Sequence, residues 1–253
     1  MNSWNLQNDL PNFFSNFRLL RERKTESGKS VVASKLNHNS LKGLFDSLVQ
    51  PLIKTRRSGY ACDPWEIAGL ERNEVRNCMV LSWLLNPQGS HGFGGIFLET
   101  LINEINLRSH GTSAAHLPLV PGKFCTVRTE SNPDGDVSNR YDIEIDDEKF
   151  YLIIEVKIDA PESTDQLQRY GSIAQVRADK RPWGIVFLTP KGIASVTAGI
   201  FYNKITSLSW RNLSKMLTKC VREECKKSSD KKGASQYMTE QIIFRFLEKI
   251  RQF

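Results

Sequence analysis

Long apolar runs are missing from this sequence. No stretch approaches the roughly 20 consecutive apolar residues that a membrane-spanning helix needs, although 40% of the residues are hydrophobic. The first residues, MNSWNLQNDLPNFF, also lack the basic start and apolar core of a secretory signal. We therefore expect a cytoplasmic protein that makes no use of a membrane.

Paired cysteines are missing as well. The five cysteines are scattered and form no C-x-x-C pair: Cys62, Cys78, Cys125, Cys220 and Cys225. This spacing argues against a zinc site, because structural zinc sites usually take their cysteines from such pairs. We expect reduced thiols that mostly fill space in the interior.

The sequence lacks two further patterns of ligand binding and catalysis. The glycine-rich stretch GSHGFGG (89–95) does not match G-x-x-x-x-G-K-[ST], so nucleotide binding by a P-loop is not expected. No Ser-His-Asp arrangement of a serine hydrolase can be assigned. We expect His91 to pack within its loop, and a general-base role is the alternative.

Positive charge is plentiful but unevenly placed. The net charge is +7, and the excess of Lys and Arg lies in residues 1–60 and 211–233, whereas residues 61–210 are net negative. An acidic centre between basic flanks would suit a cation site beside a surface that binds a polyanion. Solvated helix faces are the alternative explanation of the basic runs.

The pattern of apolar residues predicts an α/β protein. A helix is expected at 40–53, ending near Pro51, and residues 1–60 form a basic helical extension suited to partner or subunit contacts. The main domain, 61–253, should begin with a helix at 71–87 whose core-facing stripe is Val75, Cys78, Met79, Ser82 and Leu85. Strands follow at 123–130, 140–145, 150–158, 183–190 and 205–209, with helices at 164–179, after 209 and over the last 18 residues. This order predicts an α/β sandwich around a mixed sheet with helices at the C-terminus.

The strand FYLIIEVKI (150–158) is almost wholly apolar but contains Glu155 and Lys157. Alternate residues of a strand share a face, so these two charges point the same way, opposite to the apolar residues between them. Asp142 lies on the preceding strand, and antiparallel pairing across a short turn can bring its carboxylate close to that of Glu155. The two carboxylates and the Val156 carbonyl would form an all-oxygen site suited to Mg²⁺ or Mn²⁺ rather than zinc.

Simpler explanations exist for these charges. Glu155 and Lys157 could form an ion pair on an edge strand that faces solvent. Asp142 could lie on an exposed strand face, which Glu144 and Asp146 would share. The apolar character of the strand on both faces before Glu155 favours a central position instead.

The arrangement Asp142…Glu155-Val156-Lys157 resembles the D-x(n)-(D/E)-x-K signature of the PD-(D/E)XK nuclease superfamily. Gln166 and Tyr170 stand at the Q-x-x-x-Y spacing that often follows this strand in the superfamily, and Glu74 matches a glutamate that often precedes the sheet. The resemblance covers roughly residues 63–210 and implies a restriction-endonuclease-like α/β/α sandwich. The sequence departs from the family at Tyr141, where proline often precedes the aspartate.

The stretch NEVRNCMVLSWLLNPQGSHGFGGIFL (73–98) is similar to the opening of a bacterial subgroup of this superfamily, in which a helix and a Ser-His-Gly loop precede the nuclease core. This similarity implies a role in defence against phages or plasmids. It extends to nuclease subunits that work beside SMC-like partners in Lamassu-type systems. Homo-oligomers are also implied, because nucleases of this superfamily that cut duplexes often use one subunit for each strand.

The resemblance also implies roles for individual residues. Asp142 and Glu155 would hold Mg²⁺ or Mn²⁺, with the Val156 carbonyl and Glu74, and Lys157 would help to activate water. Gln166 would position the site. The residues expected to contact nucleic acid, DNA above all, are Arg169, Tyr170, Lys215 and Lys219, within a basic surface that binds the backbone largely without sequence preference.

Several of these residues have alternative roles. Gln166 could close a capping box with Ser163, Glu74 could simply suit the positive end of its helix, and Glu130 could be a further acid near the metal or a strand-end charge. A nucleic-acid-binding or scaffold subunit on a nuclease fold, dormant without its partners, is the alternative to an active nuclease.

Overall fold

The computed structural model describes residues 38–59, 62–108, 116–131, 140–227 and 233–253. The chain divides into two compact units, Met1–Cys62 and Asp63–Phe253. Within the described ranges, no helix is both long enough and apolar enough to cross a membrane. Of the basic helical extension predicted over residues 1–60, residues 1–37 lie outside the described residues.

The N-terminal unit contains helix α1 (His38–Arg57). The prediction that this helix ends near Pro51 was wrong, because it continues through Pro51 to Arg57. Proline removes one helical N–H donor. The helix nevertheless continues, and in the following turn Thr55 Oγ1 donates a hydrogen bond of 2.8 Å to the Pro51 carbonyl. The last turn is also rich in basic side chains, which favour the negative end of a helix dipole.

The second unit alternates helices and strands. Its helices are α2 (Pro64–Ile67), α3 (Glu74–Leu85), α4 (Ile96–Arg108), α5 (Gln166–Ala178), α6 (Trp210–Lys227) and α7 (Ala234–Ile250), with a 3₁₀ helix at Gly199–Lys204. Its strands are β1 (Thr126–Ser131), β2 (Tyr141–Asp146), β3 (Tyr151–Val156), β4 (Trp183–Thr189) and β5 (Ile205–Ser209).

The five strands form one sheet in the order β1-β2-β3-β4-β5. The pairs β1–β2 and β2–β3 are antiparallel, whereas β3–β4 and β4–β5 are parallel. The tight turn between β2 and β3 explains their antiparallel pairing, whereas crossovers through α5 and through the 3₁₀ helix make β3–β4 and β4–β5 parallel. The predicted mixed sheet is confirmed.

Helices cover both faces of this sheet. Leu152, Ile154 and Val156 of β3 point into the larger core, which α3, α4, α6 and α7 complete. Tyr151 and Ile153 point to the other face, into a smaller core beneath α5. All six residues of β3 are buried, as expected for a central strand. The restriction-endonuclease-like α/β/α arrangement is therefore confirmed.

The core-facing stripe of α3 differs from the predicted one. The buried residues are Asn77, Cys78, Leu81, Leu84 and Leu85, whereas Met79 is 51% exposed and Val75 is 37% exposed. The helix is apolar nearly all round, so the spacing of its apolar residues does not identify one core-facing side. Packing against the sheet determines which residues are buried. Asn77 is accommodated because its Nδ2 donates to the carbonyls of Glu71 and Asn73.

Candidate active site

The hairpin of β2 and β3 brings two carboxylates together. Ile143 pairs with Ile154, so the next positions on the two strands are Asp142 and Glu155. Asp142 Oδ2 accepts a hydrogen bond of 2.7 Å from the Val156 N–H. The first carboxylate is thereby fixed against the backbone of the strand that carries the second.

Glu155 and Lys157 lie in the interior rather than on an exposed edge. Glu155 is 2% exposed, and Lys157 Nζ lies 2.5 Å from Glu155 Oε1. The backbone of Lys157 is held as well, since its N–H donates to the Leu188 carbonyl and its carbonyl accepts from Trp210 Nε1. The charged pair therefore sits at the carboxyl end of a central strand, where α/β sheets commonly place their sites.

The cluster has more negative than positive charge. Burial and, next, the charge of nearby Asp142 raise the pKa of Glu155 to about 8, although Lys157 acts in the opposite direction. Burial likewise raises the pKa of Asp142. Burial lowers the pKa of Lys157, but Glu155, Asp142 and Glu74 outweigh it, so this pKa lies above its ordinary value. Excess carboxylate charge thus keeps the lysine protonated and favours an extra proton on the carboxylates.

Gln166, the first residue of α5, links the helix to the cluster. Its Nε2 donates to Glu155 Oε1 at 2.8 Å and to the Tyr170 hydroxyl at 3.1 Å. Its Oε1 accepts from the Ser163 N–H at 3.2 Å. This contact does not make the capping box considered for Gln166, because Gln166 is the first helical residue and the cap position is Asp165, whose side chain makes no capping bond.

Tyr170 is an interior residue. It is 2% exposed, and its hydroxyl donates to the Arg140 carbonyl at 2.7 Å while accepting from Gln166. The predicted contact of Tyr170 with nucleic acid finds no exposed surface in this structure, because the side chain is buried. We therefore treat Tyr170 as a residue that positions Gln166.

Glu74 reaches the same edge of the sheet but engages backbone. Its Oε1 accepts from the N–H of Ile158 at 2.7 Å and from the N–H groups of Asp159 and Ala160 at 3.3 and 3.5 Å. In this arrangement Glu74 fixes the turn that follows β3. To contact a metal as predicted, the Glu74 carboxylate would have to bind the ion while its Oε1 still accepts from these N–H groups.

The two remaining candidates are His91 and Glu130, and Glu130 lies across from Asp142 in the register of β1 and β2, between the pairs Thr129–Ile143 and Ser131–Tyr141. His91 is buried, accepts from the Phe93 N–H at 3.1 Å and packs against Trp83 and Phe97, as expected of a loop-packing residue. Glu130 forms a 3.2 Å ion pair with Arg140 at the end of β1. The contacts of His91 favour its packing role, whereas Glu130, paired with Arg140 beside Asp142, fits both a strand-end charge and an acid near a metal.

The residues predicted to bind nucleic acid lie on two helices. Arg169 is half-buried on α5, and its guanidinium donates to the Thr164 carbonyl at 2.5 Å. Lys215 and Lys219 are exposed on α6, where they line a groove of about 280 Å³ that Arg222 and Arg251 also line.

The oxygen donors at β2 and β3 suit a hard divalent cation. Buried neighbouring carboxylates whose pKa values are raised by burial gain from a cation that neutralises them. In the part of the chain that the structure describes, no group of three or more His, Cys, Asp or Glu side chains is arranged to hold a metal. A bound ion would therefore depend on Asp142, Glu155, backbone carbonyl oxygen and water.

Comparison with known proteins gives one family. A model of the PD-(D/E)XK nuclease superfamily matches residues 62–239. No curated protein and no solved structure matches the chain. The match spans well over half of the sequence and includes the whole carboxylate cluster, so this chain belongs to the PD-(D/E)XK nuclease superfamily.

Proposed function

We propose that this protein is a DNA endonuclease that uses Mg²⁺ or Mn²⁺ to hydrolyse phosphodiester bonds. Membership of a nuclease superfamily supports the reaction class. The observation that carries the proposal is the cluster of buried Glu155 with half-buried Asp142 and Lys157, because neither an exposed strand nor a simple binding surface needs two adjacent carboxylates beside a lysine.

The carboxylates of Asp142 and Glu155 and the Val156 carbonyl would hold the cation. A bound divalent ion supplies Lewis-acid stabilisation for the charge that builds up on the scissile phosphate. The Val156 N–H, donating to Asp142 Oδ2, fixes the orientation of that carboxylate. The buried setting strengthens each of these electrostatic contacts.

Lys157 would act as a protonated donor. Its raised pKa favours an ammonium group at neutral pH, which cannot accept a proton from water. The three N–H donors of this group can orient the attacking water and stabilise a phosphate oxygen in the transition state. One donor is already directed at Glu155 Oε1, 2.5 Å away.

Gln166 and Tyr170 would keep the Glu155 carboxylate in one orientation. The chain of hydrogen bonds runs from the Arg140 carbonyl through the Tyr170 hydroxyl and Gln166 Nε2 to Glu155 Oε1. Each member is buried or backbone, so the carboxylate has little freedom to rotate.

Basic side chains on the surface would hold the DNA backbone. Lys215 and Lys219 on α6, with Arg169 on α5, are the proposed contacts, and the groove beside α6 adds Arg222 and Arg251. Such contacts act on phosphates and carry no sequence preference. We also propose that residues 1–60 form a separate partner- or subunit-binding extension of the nuclease domain.

The biological setting is proposed from resemblance alone. The stretch 73–98 supports an effector of anti-phage or anti-plasmid defence in the cytoplasm, and more specifically the nuclease subunit of a Lamassu-type system with SMC-like partners. We further propose that the active form is a homo-oligomer, since each subunit would cut one strand of a duplex.

A cleavage assay tests the reaction. Purified protein is incubated with supercoiled and linear DNA and with RNA, in Mg²⁺, Mn²⁺ or EDTA, beside Lys157→Ala and the charge-matched surface control Lys180→Ala. We expect DNA nicking that needs the metal, is lost in Lys157→Ala and survives in Lys180→Ala. DNA binding without any cutting, even with the products of neighbouring genes added, would favour the scaffold function instead.

A further inference from the structure

A second buried carboxylate lies on the same strand as Asp142. Glu144 is two residues further along β2 and on the same face. By the repeat of an extended strand, its Cα lies about 7 Å from the Cα of Asp142. It is 1% exposed. The Tyr151 hydroxyl donates to Glu144 Oε1 at 2.6 Å, the Tyr141 hydroxyl lies 3.3 Å from the same oxygen, and the two hydroxyls are 2.8 Å apart.

Two arginines converge on this carboxylate from different elements. Arg128 of β1 places its guanidinium 3.5 Å from Glu144 Oε2, and Arg177 of α5 places its guanidinium 3.4 Å from Oε1. Their side chains are 57% and 38% exposed. Glu144 thus reaches each arginine from beneath while a large part of each side chain remains at the surface.

One cation would suffice to balance the buried Glu144 carboxylate, whose burial is costly unless it is paired and hydrogen-bonded. The cluster has two. The tyrosine hydroxyls already supply Glu144 with strong hydrogen bonds. The arrangement instead fixes two cations, with one surplus positive charge, on the sheet face that carries Asp142.

The chemistry of this surface fits a phosphodiester. Each guanidinium has five N–H donors in a planar fork that matches the oxygens of a phosphate. Glu144 contacts the guanidinium of Arg128 at 3.5 Å and that of Arg177 at 3.4 Å, and Arg177 also bonds the Tyr151 side chain. Both arginines contact Glu144, which lies two residues from Asp142 on the same face of β2, so they lie on the face that carries the carboxylate cluster.

We propose that Arg128 and Arg177 form a subsite for a backbone phosphate adjacent to the scissile one. Glu144, with the hydroxyls of Tyr141 and Tyr151, acts as the positioning group that holds the two arginines. This subsite rests on the proposed nuclease function, because it assigns the substrate's neighbouring phosphate to a surface beside the carboxylate cluster.

The test measures binding separately from cutting. A fluorescent DNA duplex of about 20 base pairs is titrated in EDTA across about 50–200 mM salt with the full-length protein. Arg128→Ala and Arg177→Ala should each weaken binding about tenfold and lower the slope of log K against log salt by about one. Lys180→Ala, which removes the same charge close to Arg177 in sequence, should change binding less than about twofold.

Kinetics and folding complete the test. In Mg²⁺ both arginine variants, and Glu144→Gln more weakly, should raise KM while leaving kcat within about twofold. Thermal unfolding identifies variants that fail to fold. Should Arg177→Ala be one of them, Arg177→Lys takes its place and should weaken binding about threefold, since the charge remains but the fork is lost.

The outcomes separate this inference from the proposed function. If the wild type cuts DNA but the folded arginine variants bind with unchanged affinity and salt slope, the subsite is refuted and the nuclease function stands. If the wild type binds without cutting and the variants bind weakly, the subsite stands and the function fails. A wild type that binds no DNA refutes the subsite as well.

Discussion

Replacing Glu155 by Gln should stabilise the metal-free protein although it removes a metal ligand. Glu155 shares a hydrogen bond with Asp142 and accepts from Lys157 and Gln166. A Gln side chain can donate its amide to Asp142 and keep its carbonyl toward the other two. The substitution therefore resembles the protonated form of Glu155, which the fold favours.

The size of the effect follows from the pKa. The fold raises the pKa of Glu155 from an ordinary 4.5 to about 8, chiefly by burial. Because the unfolded chain gives up this proton at lower pH, the wild type loses stability as the pH rises from about 4.5 to about 8, at about 1.4 kcal/mol per unit. Glu155→Gln avoids this loss, so it should gain about 1 kcal/mol at pH 5 and about 3 kcal/mol at pH 7.

Thermal unfolding in EDTA between about pH 5 and 8 measures this gain. For a chain of this length, about 3 kcal/mol corresponds to a rise in Tm of roughly 6–12 °C. Glu148→Gln, which removes an exposed carboxylate, is the control and should change stability by less than about 0.5 kcal/mol. Added Mg²⁺ should then raise the Tm of the wild type more than that of Glu155→Gln, because the ion binds the native carboxylates.

Two results would refute this reasoning. One is a stability difference between Glu155→Gln and the wild type that stays constant from pH 5 to 8. The other is a variant that is less stable than the wild type at pH 8. Either result would mean that Glu155 is ionised in the metal-free fold and that Lys157 balances its charge.

Three further predictions concern the metal, the positioning chain and the packing of α5. Because the pKa of Glu155 is about 8, Mn²⁺ binding at pH 7 should release a proton and tighten up to about pH 8, which calorimetry in two buffers measures; affinity independent of pH would contradict this. Gln166→Ala should slow single-turnover cleavage about tenfold without changing DNA affinity in EDTA, since it frees the Glu155 carboxylate; an unchanged rate would remove Gln166 from the positioning chain. Gly171→Ala should cost about 2 kcal/mol in urea unfolding, because a Cβ there would overlap the Phe201 ring. Gly43→Ala, in open space on α1, should not destabilise the protein, and equal effects of the two substitutions would exclude the overlap as the cause.

The carboxylate cluster was predictable because it is local. Alternation along β3 places Glu155 and Lys157 on one face, and the short turn before β3 leaves Asp142 few places other than beside Glu155. The Q-x-x-x-Y spacing likewise becomes a contact within one helix, between Gln166 and Tyr170. The two-residue period of a strand and the 3.6-residue period of a helix are enough to predict such neighbouring side chains.

Contacts between distant parts of the chain were not predictable. Glu74 meets the Ile158 N–H across 84 positions, and Trp210 meets the Lys157 carbonyl across 53. Neither pair has a local sequence signal, because each depends on how a helix packs on the sheet. The core face of α3 was mispredicted for the same reason, since its apolar residues allow more than one face.

The Glu144 cluster shows a different limit. Glu144 shares the face of Asp142, which suggested an exposed strand face, but the structure buries it beneath Tyr141 and Tyr151. The alternation of side chains along a strand predicts the face on which a residue lies. It does not predict whether other side chains cover that face. The sequence signal that could have indicated the burial of Glu144 is an acidic residue between apolar neighbours on a central strand.

Single-turnover cleavage of end-labelled duplex DNA over a Mg²⁺ titration tests the central claim most directly, with the wild type beside Asp142→Asn. We predict that the wild-type rate rises to saturation with Mg²⁺, and that Asp142→Asn cuts at least about a hundredfold more slowly while binding DNA equally well in EDTA. Cleavage that persists in EDTA, or equal rates for the two proteins, would contradict a nuclease site at Asp142 and Glu155.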